Sequence, residues 1–514
     1  MSLKYLSIFL TVTIVFSMDI YSGGKLSLIQ NNMDVHYYDI HLTVDSEKKI
    51  IHGYVELGIN VKDTTIKGLE LDLIDQFDIS KIKVNALMSS FSHNNNKITI
   101  SPTSLVRSNT IRIYYSGKPP EANNPPWDGG FSWESDSLGY PWIGVSCQTN
   151  GAHIWIPCIE HPSDEADSVD LFITTSKHLV VAGNGLLIDT TADNNQTTWH
   201  WKTTYPISAY NINFTIGKFQ LIEKDLNLKN PTHLQYFVLQ EYLEGSGYII
   251  NEAEKYLKFY ESLFGAYPWS NEKFGMVQTP YWGMEHQTII AYGNNYKIRK
   301  PGYDFLLLHE MGHEWWGNYL TVHDWADFWI HEGITIYAEA LFIEENFGID
   351  AYHEFFKKTV RSKISNNIPI VPKQNAISQD VKGLDVYYKG AMVLHMLRYL
   401  IGKEKLISIL NTTLHSEKSL SHNHVSTQDF IDITNEITSE DFGWFFDVYL
   451  KKKDPPKLVI KNRWKTKTIN WENPNFLMPI EIETFNGEIV KIQPGKRKIK
   501  NVKRVDPTQW ILFN

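Results

Sequence analysis

The sequence predicts an α+β chain of several domains: an all-β domain first, a mostly helical domain in the middle and a small β domain last. Three observations carry this. Before about residue 221, apolar and polar residues alternate with period two, which marks half-buried strands. From about Tyr248 to Lys453 the apolar residues move to helical spacing. Beyond Asp454-Pro455-Pro456, a linker signal, short strand-like runs return. At 514 residues the chain can hold two to four domains with real cores.

The elements follow in order. Lys4 supplies a positive start, and Tyr5 to Met18 is nearly all apolar or small. That run is short of the roughly 20 residues a spanning helix needs. Residues 1–22 therefore read as a signal peptide, with Ser17 or Ser22-Gly23-Gly24 as cleavage candidates. The expected address is secreted or periplasmic, with a membrane anchor as the alternative if the segment stays uncleaved. No stable membrane insertion is expected otherwise.

The first β domain covers 26–221. Tyr38, Ile40, Leu42 and Val44 alternate, as do Val55, Leu57, Ile59 and Val61, then Leu69, Leu71 and Leu73. Ile98, Ile100, Ile111 and Ile113 continue the pattern. Asn123 to Phe131 is an inserted loop, stiff at Pro125-Pro126 and permissive at Gly129-Gly130. The only cysteines are Cys147 and Cys158. They could pair in an oxidising compartment, and the sequence leaves that open.

The middle domain covers 222–453. Ile250, Ala253, Tyr256, Leu257, Tyr260 and Leu263 trace a helix that stops at Gly265. Phe274–Gln278 reads as a short strand, and helices dominate from Asp304. The last domain, 457–514, has strand-like runs at Leu458–Ile460, Ile480–Ile482, Ile489–Ile492 and Trp510–Phe513. The stretch from Lys451 onward carries 15 Lys and Arg against 6 Asp and Glu, although the whole chain is at −9. That overall balance argues against general nucleic-acid binding.

The chemistry concentrates in His309-Glu310-Met311-Gly312-His313. Residues four apart lie one above the other on a helix, so His309 and His313 can face one metal ion. Glu310 lies about 100° round the helix, placed to take a proton from water at the ion. Catalytic zinc takes three protein ligands and keeps one position open. Glu332 is the candidate third ligand, on a second helix that starts near Asp327 and packs antiparallel on the first. Gly317-Asn318 marks the break between them.

His-Glu-Met-Gly-His-Glu-Trp-Trp-Gly-Asn, followed by Trp-Ile-His-Glu-Gly, resembles the aminopeptidase N family of zinc metallopeptidases. That family includes the leukotriene hydrolase branch. It places eighteen residues between the second histidine and the glutamate; Glu314 to His331 is eighteen. The resemblance implies a thermolysin-like catalytic domain with one Zn2+ per chain and peptide substrates with a free amino terminus. It implies further roles, residue by residue. Tyr281–His286 resembles the family's Gly-x-Met-Glu-Asn segment. Gly283 and Met284 would pair with an extended peptide, and Glu285 would hold its ammonium group. Trp282 and His286 depart from the pattern. Gln148 falls where the leukotriene hydrolase branch has a glutamine that touches the amino terminus. Tyr387, in Tyr387-Tyr388-Lys389-Gly390, would stabilise an oxyanion. Asp327 would orient a ligand histidine or cap a helix.

Long members carry a large helical domain after the catalytic one. Only about sixty residues follow Asp454 here, so a more open site, or a partner that covers it, is expected. Three other readings stay open: a zinc endopeptidase, an epoxide hydrolase, and a metal-bearing binding module without turnover.

Overall fold

The structure, a computed structural model, describes residues 20–415, 423–464 and 466–514. The expected leader at 1–22 lies largely outside the described residues. Its last residues do not: Ser22 is buried and hydrogen-bonded within the fold, so a leader whose removal keeps this packing ends before Ile20, nearer the Ser17 candidate than Ser22-Gly23-Gly24. No helix among the described residues is long and apolar enough to cross a membrane.

Period-two patterning becomes a ten-stranded sheet. At its centre Met33–Asp45 runs antiparallel to Ile50–Val61, with Ile40 opposite Val55. On its other side it runs parallel to Ser168–Ser176, with Ile40 opposite Leu171. The alternating residues face one way and are buried together: Ile40, Leu42, Val55, Leu57, Ile111 and Ile113 are at most 2% exposed. A four-stranded sheet follows, containing Gly130–Ser135 and Pro141–Ser146. The loops at the ends of these two strands, around Trp127 and Gln148, reach towards the middle domain. Cys147 and Cys158 are both buried and unpaired.

A five-stranded sheet opens the middle domain, and it includes Gln220–Leu226. The boundary expected after residue 221 therefore falls inside a strand, because that strand pairs along its length with Thr232–Val238. Gly283–Met284 is the edge strand of this sheet. Helix α1 (Ser246–Phe264) ends at Gly265, whose φ of 97° suits glycine. Helices α2 (Phe305–Gly312) and α3 (Trp329–Phe347) then pack together. α2 stops one residue before His313, sooner than the Gly317-Asn318 break suggests, although His313 keeps helical dihedrals.

The last domain is two three-stranded sheets. Trp510–Phe513, expected as a strand, is not one. Its groups serve the neighbouring helices instead: Arg361 donates to the carbonyls of Gln509 and Ile511, and the Tyr449 hydroxyl donates to Leu512. Trp510 stacks on His395, in the helix Asp385–Ile401 that also carries Tyr387. Lys389 of that helix donates to the carbonyls of Lys452 and Lys453, just before the domain begins.

Candidate metal centre and peptide site

Asp304 starts α2 by accepting from the Leu307 amide, and every residue of the helix is buried. This fixes His309 and His313 on one face. α3 brings Glu332 in its first turn. Nε2 of His309 and Nε2 of His313 are 3.3 Å apart, and each is 3.4 Å from Oε2 of Glu332. A tetrahedral ion with bonds of roughly 2.0–2.1 Å spaces its ligands about 3.3 Å apart, so this triangle fits zinc. Oε2 of Glu332 is buried and has no hydrogen-bond partner, which is the state of an atom reserved for an ion. His313 Nδ1 donates to the Trp316 carbonyl at 2.9 Å, leaving Nε2 free to ligate.

The buried groups of the triangle shift one another's charge. Burial opposes a charge on His313, but Glu332 outweighs it and lifts the ring to about 10. Burial would raise Glu332, but His313 and His309 draw it down to about 2. Burial, then Glu285, holds Glu310 well above the usual carboxylate range. Burial, then Glu332, holds the Tyr387 phenol neutral.

One cavity of about 250 Å³ collects most of the expected site: Gln148, Gly283, Glu285, His309, Glu310, His313, Glu332 and Tyr387 all line it. Two close approaches make this possible. A Cβ on Gly283 would sit 2.6 Å from Oε1 of Glu310. A Cβ on Gly333 would sit 2.9 Å from Cα of Gly390, so two glycines let α3 and the Tyr387 helix touch. Tyr387 receives a hydrogen bond from Gln148 Nε2 at 3.3 Å, across the domain junction. Met284 is buried in the sheet and does not line the cavity.

Asp327 is placed elsewhere. Its Oδ1 accepts from the Thr427 amide at 3.0 Å, at the start of helix Thr427–Thr438. It anchors the start of that helix, which Ser426 caps, rather than α3, and among the described residues the groups on His313 Nδ1 are the Trp316 carbonyl and, at 3.4 Å, the Thr335 hydroxyl.

Three contributors were not foreseen. Tyr210 donates to Oε1 of Glu285 at 3.4 Å. Glu314 accepts from Trp269 at 2.8 Å, the Thr288 amide at 3.1 Å and Asn318 at 3.2 Å, tying the end of α2 to the segment after Glu285. Burial pushes Glu314 up to about 7. Trp127 stacks obliquely on Trp282, and Trp282 on Phe305, which stacks on His309. Pro126 and Trp127 roof the cavity from the first domain, and Lys382 pairs with Asp128 at 3.1 Å beside them. The inserted loop thus supplies part of the cavity's wall. The loop's prolines and aromatics were visible in the sequence, but its partner was not. His286 is buried with neither ring nitrogen bonded, and nothing in the structure explains a histidine there.

The Peptidase family M1 domain matches residues 248–449, and the Peptidase M1 N-terminal domain matches residues 35–211. The chain belongs to the M1 peptidase family. Among similar M1-type sequences, a leucine aminopeptidase 2 of Vanderwaltozyma polyspora is 24% identical over 73% of this chain and 58% of its own length. A leukotriene A-4 hydrolase of Xenopus laevis is 24% identical over 72% of this chain and 63% of its own. A leucyl aminopeptidase of Saccharolobus solfataricus is 22% identical, over 89% and 59%. The chain spans about three-fifths of the length of these relatives. The fold is that of an M1 zinc metallopeptidase from Deinococcus radiodurans, with a TM-score of 0.69 at 21% identity, over 84% of this chain and 96% of that one.

Proposed function

We propose that this M1 family chain is a zinc-dependent aminopeptidase that hydrolyses the first peptide bond of peptides with a free amino terminus. The observation that carries the reading is Glu285. It is buried in the same cavity as the ligand triangle, and among the described residues no lysine, arginine or histidine forms an ion pair with it. A buried carboxylate without a cation is costly, and the ammonium group of a substrate supplies one. The edge strand Gly283–Met284 offers backbone groups to an extended peptide running to Glu285.

His309, His313 and Glu332 would hold one zinc ion per chain. Zinc, when bound, polarises the scissile carbonyl and lowers the pKa of water to about 7. Glu310 takes the proton of the attacking water and passes it to the leaving amine. Tyr387, a neutral phenol, donates a hydrogen bond to the charge that develops on the carbonyl oxygen. Glu285 and Gln148 fix the amino terminus so that only the first bond meets Glu310. The apolar run Tyr5–Met18 supports export of the chain to the periplasm or outside the cell.

A solved structure of a variant of the Deinococcus radiodurans M1 enzyme holds a bound Tyr-Ser-Ala substrate, which supports a peptide reading. The test is cleavage of leucine anilide, free and amino-blocked, with and without a chelator. The reading expects turnover of the free form only, and loss of turnover with the chelator. Equal cleavage of the blocked form would make the protein an endopeptidase. Glu285→Ala is expected to raise KM and lower kcat on the free form.

A further inference from the structure

We infer that residues Ile20–Gly24 form a strap that positions the two groups holding the substrate's amino terminus; this rests on the aminopeptidase reading above. The strap runs along the junction of the first two domains, and its polar groups are spent on both. Ser22 Oγ donates to Glu160 Oε1 at 2.7 Å and accepts from Trp325 Nε1 at 2.9 Å. The Ser22 carbonyl accepts from the Ser378 amide at 2.9 Å, and the Gly24 amide donates to the Ala376 carbonyl at 2.9 Å. The Gly23 amide donates to the Glu160 carbonyl at 3.0 Å. Ser22 is 1% exposed, so its own bonds do not compete with water.

Two short routes lead from the strap to the amino-terminus site. On the first, the Ile20 carbonyl accepts from Asn150 Nδ2 at 2.8 Å, and the Ser22 amide donates to the Thr149 carbonyl at 3.3 Å. Gln148 is the next residue back along that loop. On the second, Gly23 lies flat on Trp325: its φ is 85°, and a Cβ there would sit 2.3 Å from Cδ1 of the indole. Trp325 meets the edge of Tyr210 with ring centroids 5.9 Å apart, and Tyr210 donates to Glu285. The metal ligands stand on α2, on the residue that caps its end and on α3, and receive nothing directly from the strap. Loosening the strap therefore blurs recognition of the ammonium group while leaving the ion in place.

The prediction separates two kinetic constants. In the full chain, Ser22→Ala is expected to raise KM for leucine anilide about tenfold, the equivalent of about 1.4 kcal/mol of binding. Its kcat should stay within about threefold, and its zinc content should equal that of the wild type. Trp325→Phe removes the indole donor and keeps a ring, and should shift KM the same way; it carries the test if Ser22→Ala does not fold. A purely structural role would lower zinc content and kcat together with KM unmoved, and would overturn the inference. So would a KM within twofold of wild type in the folded variants. A wild-type chain that cleaves no free-amine anilide sinks the parent reading and the strap together. An active wild type with KM unmoved in Ser22→Ala sinks the strap alone.

Discussion

Gly283→Ala tests the tightest approach in the site. The added Cβ would lie 2.6 Å from Oε1 of Glu310 and 2.6 Å from Cδ1 of Leu306. Ordinary contacts need roughly 3.5–4.0 Å. Leu306 can rotate its branch, but Glu310 must retreat by about 1 Å. A misplacement of about 1 Å in a reacting group costs about 10²-fold in rate, or about 2.7 kcal/mol of barrier. Overpacking adds about 1–3 kcal/mol of lost stability. The expected result is kcat on leucine anilide down about 100-fold, a lower melting temperature and full zinc content. Steady-state kinetics, thermal melts and metal analysis read the three. Turnover within about threefold of wild type, with zinc bound, would refute the placement of Glu310 beside the peptide strand.

Three other outcomes are expected. Glu310→Gln should keep zinc and lose about 10²–10⁴ in kcat, the usual span for a general base, measured on the same anilide. Glu332→Ala should lose zinc by metal analysis, because two histidines leave the ligand triangle open. Asp164 gives a pH test away from the site: burial pushes it up to about 8, and its Oδ2 has no partner. The folded state then binds a proton that the unfolded state releases near pH 4, so this contribution is present at low pH. It is lost as pH rises from about 4 to 8, at up to about 1.4 kcal/mol per pH unit. Asp164→Asn should flatten the fall of melting temperature between pH 5 and 8; an unchanged slope would discard the assignment.

What could be read from the sequence was local or periodic. Period two found the first sheet because one face of each strand is buried. The i, i+4 histidines declared themselves because helix geometry alone aligns them. Glu332 was found as the glutamate of a second helical pattern, but Glu285 and Tyr387 entered only through a family resemblance, since each reaches the cavity from a different element. Tyr210 and Ser22 stayed hidden because each acts through a partner more than 70 residues away. Asp327 was misplaced for the same reason: nothing near it in sequence points to the Thr427 amide. The part Trp127 plays in the cavity wall was not legible because its partner, Trp282, stands in another domain.

The helix Asp385–Ile401 has a working end and a gripped end. Tyr387 sits in its first turn, while His395, about two turns further on, is pressed against Trp510 of the terminal domain. The small terminal domain touches no wall of the cavity, yet it steadies the rod on which the phenol is mounted. Shaking that domain loose would spare the ion and dull the reaction, so distance from the metal is a poor guide to what this site needs.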